Sequence, residues 1–135
     1  MAPTIKICCI ASIEEATLAV RSGASVLGLV SAMPSGPGVI DEAAIAEIAE
    51  RVPPAIETFL LTALVQADAI AEQHARCRTS ALQLVDHVEE DELVRLRRAL
   101  PRVRLVQVGV RESGALSVAR LDAFVAEVRD YAPVP

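Results

Sequence analysis

Aromatic residues are almost missing from this sequence: one Tyr, two Phe and no Trp among 135 residues. The 53% of hydrophobic residues are therefore mostly Ala, Val, Leu and Ile, which suits a parallel sheet covered by helices. Positive charge is short too. The formal balance is −5, and no stretch concentrates enough Lys and Arg to track phosphates, which argues against a nucleic-acid surface. The densest basic run, "RLRRALPRVR", falls on an expected helix and its exit and reads as a solvated face. No apolar run approaches the ~20 residues of a membrane span, and no charged-then-apolar leader opens the chain. Cysteines number only three. They cannot all pair, and the adjacent Cys8 and Cys9 have a poor geometry for bridging each other. These absences point to a reducing cytoplasm with free thiols, no nucleic acid and no membrane.

What is present is a repeated pattern that fits one α/β domain over residues 1–135. The apolar run "TIKICCI" (4–10) reads as a strand. The stretch after it reads as a helix, with Ser12 and Glu15 as a capping box and Gly23 as the stop. "SVLGLVS" (25–31) is a second strand. A helix over 41–52 follows, capped by Asp41, striped by Ala44, Ile45, Ile48 and Val52, and ended by Pro53-Pro54. Strands over 56–64, 81–86 and 103–110 alternate with helices over 66–77, 89–100 and 118–131.

Five strand-helix units in series require parallel strands joined by right-handed crossovers. Two architectures meet that requirement: an open doubly wound sheet, or the first five units of a (β/α)8 barrel. Both place the chemistry where strands end and helices begin. Lys6 shares a strand face with Cys8, Gln83 with Val85, and Gln107 with Gly109. Polar residues on strand interiors suit a barrel whose inner wall turns polar near its mouth, and favour the barrel. Strand alternation also sends only one of the two adjacent thiols inward. Cys8 is the one on the face of Lys6, leaving Cys9 towards the helix layer.

Lys6-Ile7-Cys8 at a strand end, followed by "SIEEATLAVRSGASVLGLV", resembles the phosphoribosylanthranilate isomerases, a family of barrel enzymes of tryptophan biosynthesis. The likeness runs in order through "SAMPSGPGVIDEAAIAEIAERVPP", "ALQLVD" and "VRLVQVGV", and so covers essentially the whole chain. It implies an Amadori rearrangement, in which an aminoaldose opens and isomerises to an aminoketose. The family's cysteine at the end of strand one is the base that takes the sugar-carbon proton, and Cys8 matches it. Its acid, an aspartate at the end of strand six, has no counterpart in the five units, and neither have the phosphate-binding loops after strands seven and eight. A thiol's ordinary pKa of about 8.5 is close enough to neutrality for a nearby cation to tune, and Lys6 is that cation. The residue-level alternative for Cys8 is a small buried hydrophobe, the usual fate of a free cysteine.

The sequence departs from the family at Cys9, where a glycine is preferred, and at Gly38, where an arginine holds the substrate carboxylate. It departs again at Val85 and Asp86, where the family carries His and Gly. Beside Lys6, the candidate substrate-binding residues are Gln83, Asp86 at the end of strand four, and Arg111 after strand five. Asp86 has a second reading, as the cap of the helix beginning near Glu89. No metal site is expected, because His74 and His87 lack partners at ligand spacing. The resemblance implies no cofactor and a small phosphorylated sugar as substrate. A five-strand piece leaves its first and last strands open, so self-association through those edges is a further expectation. Two functions remain in view: an isomerase, and a non-catalytic barrel fragment that binds a small molecule or a partner chain.

Overall fold

The computed structural model describes residues 3–108. Arg111 and the expected fifth helix lie outside them. The elements are β1 (Lys6–Ile7), α1 (Ile13–Arg21), β2 (Val26–Val30), α2 (Glu42–Arg51), β3 (Glu57–Thr62), α3 (Ala67–Cys77), β4 (Ala81–Leu84), α4 (Glu90–Ala99) and β5 (Arg104–Gln107). All strand pairs are parallel and run in the order β1-β2-β3-β4-β5. A doubly wound sheet reverses its strand order at a switch point. Here each strand pairs only with its sequence neighbours.

The packing decides the architecture. Leu27, Leu29, Leu60, Leu82, Leu84 and Leu105 join Ala16 and Ala19 of α1, Ile45 and Ile48 of α2, Ile70 of α3, and Leu93 and Leu96 of α4 in one buried cluster. The opposite sheet face carries a separate cluster of Val26, Val30, Phe59, Leu61 and Ala81, with no helical residue in it. All four described helices thus cover one face, as in a barrel wall. The other face is concave. Lys6 on β1 donates to Gln83 Oε1 on β4 at 2.5 Å, although these strands would stand about 14 Å apart in a flat sheet. The described strands form an unclosed arc of a (β/α)8 barrel, as the sequence pattern favours.

Helix ends follow the sequence closely. Ser12 Oγ accepts from the amide of Glu15 at 3.1 Å, and Glu15 reaches back to the amide of Ala11. Asp41 Oδ1 accepts from the amide of Ala44 at 2.7 Å. The start of α3 lacks a cap of its own. Glu92 on α4 supplies one by accepting from the amide of Ala67, and that bond holds its carboxyl below the usual carboxylate range. Glu42 on α2 is likewise held low, chiefly by the Arg76 side chain of α3.

The basic run divides. Arg95 pairs with Asp68 and Glu92 at the surface, whereas Arg97 folds back onto the carbonyls of Leu100, Pro101 and Val103 and fixes the turn into β5. One polar strand residue also differs from expectation. Gln107 lies beside Leu84 in register, on the helix side of the sheet. There its amide donates to the carbonyls of Leu84 and Asp86 and accepts from the amide of Val88, so it staples the β4–α4 loop instead of lining the concave wall.

Leu60 is fully buried at the centre of the helix-covered face. Leu60→Ala is expected to cost about 2–5 kcal/mol, read as a lowered urea midpoint with the slope unchanged. Glu42 and Glu92 bind protons less readily in the folded chain than in the unfolded one. Their contribution is therefore present above the ordinary carboxylate pKa and is lost as pH falls through the lowered folded values. The double variant Glu42→Gln/Glu92→Gln should show a shallower loss of urea midpoint on acidification than the parent.

Candidate active site

The concave face is layered. At its floor, the Glu57–Arg104 ion pair bridges β3 and β5 at 3.2 Å, and Arg104 sits 5.7 Å from the Phe59 ring centroid. One layer up, the Lys6 ammonium lies 5.4 Å from the same centroid and bonds to Gln83. Phe59 therefore carries two cations, each in the range where the ring quadrupole attracts charge. Level with Gln83 in the strand register stand Val30, Leu61 and Val106, and Val85 packs against the same cluster.

Cys8 lies on the same face, in the row of Gly28 and Phe59. It follows Lys6 at strand spacing opposite Gly28, and a Cβ on Gly28 would come within 2.8 Å of Cys8 Sγ. A side chain at position 28 would therefore expel the thiol. Cys8 is exposed, and so the reading of it as a buried small hydrophobe fails. That reading fits Cys77 instead, which is fully buried in the helix-side core with its thiol pushed up by burial to about 11.

Cys9 overturns the alternation rule. β1 ends at Ile7, yet the amide of Ile10 bonds to the carbonyl of Gly28 at 3.2 Å and Ile10 is buried in the helix-side cluster. Two residues, Cys8 and Cys9, thus stand opposite one, in the manner of a β-bulge. Cys9 takes up the extra length in a left-handed conformation (φ 61°) and packs against the concave cluster, not the helix layer. The loop after β2 shapes its seat. A Val30–Val39 bridge pulls that loop back, the carbonyl of Pro37 accepts from Cys9 Sγ at 3.7 Å, and a Cβ on Gly38 would come within 2.7 Å of Cys9 Cβ. Burial pushes the Cys9 thiol up and neighbouring Cys8 adds to the rise, while the Lys6 charge pulls the other way.

The sequence-derived candidates divide accordingly. Lys6, Cys8 and Gln83 come together on the concave face. Asp86 is exposed on the rim, and its carboxylate makes no hydrogen bond among the described residues. It does not cap α4, whose N-cap is Glu89 with no side-chain capping bond. Arg111 lies outside the described residues. Sequence reasoning passed over Phe59, Arg104 and Glu57. Their signal was the alternation in "ETFLLT", which puts Glu57, Phe59 and Leu61 on one face, and Phe59 is the only aromatic of any described strand. The steric roles of Gly28 and Gly38 were not legible, Gly38 having been read only as the place of a missing arginine, because what they accommodate is distant in sequence. Among the described residues no group of His, Cys, Asp and Glu forms a metal site, and no helix is long and apolar enough to cross a membrane.

No protein-family model matches the sequence. Curated relatives do. The chain is 27% identical over 124 residues to an N-(5'-phosphoribosyl)anthranilate isomerase of Thermosynechococcus vestitus, covering 92% of this chain and 53% of that protein. The fold matches the N-(5'-phosphoribosyl)anthranilate isomerase of Pyrococcus furiosus with a TM-score of 0.77 at 22% identity, over 95% of this chain and 62% of the other. It also matches a phosphoribosyl anthranilate isomerase in complex with reduced 1-(o-carboxyphenylamino)-1-deoxyribulose 5-phosphate, at a TM-score of 0.69 and 23% identity, over 96% and 61%. The chain spans between half and two thirds of the length of the curated relatives it matches. The chain is thus similar in sequence to phosphoribosylanthranilate isomerases, and its fold is an unclosed arc of the barrel that they form.

Proposed function

We propose that the chain carries the base side of an isomerase site acting on N-(5-phosphoribosyl)anthranilate in tryptophan biosynthesis, in the cytoplasm. The carrying observation is the placement of Cys8: exposed at the rim, seated over Gly28, on the face where Lys6 and Gln83 meet. In this reading Cys8 removes the proton from the sugar carbon beside the imine, which shifts the double bond from the aminoaldose towards the aminoketose. Lys6 supplies positive potential to the concave face and is held in place by Gln83 and the Phe59 ring. Asp86, at the rim, takes a sugar hydroxyl, and Arg111 an anionic group of the substrate. The reaction also needs a proton donor for the ring oxygen and a phosphate cradle. Neither role falls to a described residue in this reading. The solved relative holding a reduced phosphoribulose analogue supports a phosphorylated sugar as the ligand class.

A non-catalytic reading rests on a different observation. β1 stands at the sheet edge, with Ile5 44% and Ile7 36% exposed, and such an edge pairs readily with another chain. A solution mass equal to the 14.3 kDa chain, unchanged on concentration, would count against pairing between copies.

The isomerase reading is tested with the full gene product. It should turn over N-(5-phosphoribosyl)anthranilate, and Cys8→Ala should lower kcat by about 10²–10⁴, the span of a general base. Unchanged turnover in that variant would remove the thiol from the reaction.

A further inference from the structure

We propose that Cys8 and Cys9 together form a two-sulfur site that captures a thiophilic metalloid of the trivalent arsenoxide class. Consecutive residues of a regular strand send their side chains to opposite faces and do not share a ligand across them. The bulge removes that obstacle. Cys8 stays on the face of Lys6, and the left-handed backbone at Cys9 turns the second thiol to the same side. Each sulfur then occupies space that a glycine leaves free. Sγ of Cys8 lies 2.8 Å from where a Gly28 Cβ would stand, and Sγ of Cys9 lies 2.8 Å from the corresponding point at Gly38. A non-glycine residue at positive φ is strained by about 1–2 kcal/mol, and a glycine at position 9 would relieve that strain at no steric cost. Retaining Cys9 keeps a second thiol at the mouth. The pair is open to ligand, Cys8 being exposed and Cys9 half-buried, whereas Cys77 is sealed in the core.

Capture balances without an oxidant. Two S–H groups condense with the As=O bond of an arsenoxide, forming two As–S bonds. One water leaves with the oxygen and both thiol protons, and no atom changes oxidation state. The second As–S bond is intramolecular once the first has formed, and this sets a dithiol apart from two separate thiols. The proposal stands independently of the isomerase reading, since it requires only the two sulfurs and their shared face.

The test titrates the folded 135-residue chain with phenylarsine oxide, counting free thiols with a chromogenic disulfide and adducts by intact mass. One arsenical per chain is expected, consuming both accessible thiols and leaving Cys77. It should resist excess monothiol and be released by 2,3-dimercaptopropanol. Cys9→Gly and Cys8→Ala should each weaken retention on the order of a hundredfold. Gly38→Ala keeps both thiols but fills the space beside Cys9, so its retention should also fall, with unchanged circular dichroism reporting an intact fold. Retention in Cys9→Gly equal to the parent overturns the proposal. So does retention in a folded Gly38→Ala chain equal to the parent, because the pair would then bind through adjacency in sequence alone.

Discussion

All four described helices pack on one face of the sheet, and that one-sidedness governs the rest of the structure. A parallel sheet with helices on both faces buries both surfaces in helix contacts and places ligands at a reversal of strand order. With helices on one face only, the other face must curl upon itself to shed water. The curl brings Lys6 of the first strand to Gln83 of the fourth, and Arg104 of the fifth to Glu57 and Phe59 of the third. Polar and charged groups can then occupy the concave face because they satisfy one another. A flat sheet of the same sequence would leave the Lys6 ammonium without its amide partner.

The rim follows from the same curvature and one irregularity. Where β1 stops, a single extra residue moves two thiols to the concave side and returns Ile10 to the helix-side core. The loop after β2 closes over the second thiol because it is pinned at Val39, and Gly38 carries no side chain to prevent the approach. Cys9 and Gly38 are thus one steric arrangement divided between two loops. A larger residue at 38 and the cysteine at 9 exclude each other. At both positions the sequence differs from what the resemblance implies, and the packing links the two differences.

Much of this was legible in the chain. Apolar runs bounded by Ser12, Asp41 and Pro53 marked the early elements to within a few residues, because caps and breakers act locally. Parallel strands followed from the alternation of elements, and Lys6, Cys8 and Gln83 were assigned to the correct face by their spacing in regular strand. The misreadings arose where regular spacing stopped applying. Cys9 was assigned by alternation to the helix layer, but the strand had already ended. Gln107 was read as part of a polar inner wall, although its register beside Leu84 puts it on the helix side, where loop carbonyls take up its amide. Asp86 was offered as a helix cap, yet α4 begins at Glu90, a turn further on. The partners of Phe59 and of the two glycines lie in other strands and loops, and no local pattern could announce them.

Strand order has a kinetic corollary. Through its backbone every described strand pairs only with the strands before and after it in the chain, and each connection closes over one helix. The entropy lost in bringing neighbours together is that of short loops, and it does not grow as units are added. Such a topology keeps every described strand pairing within one strand-helix unit of sequence. It also allows order to spread outward from whichever unit forms first, much as in a stacked-repeat protein.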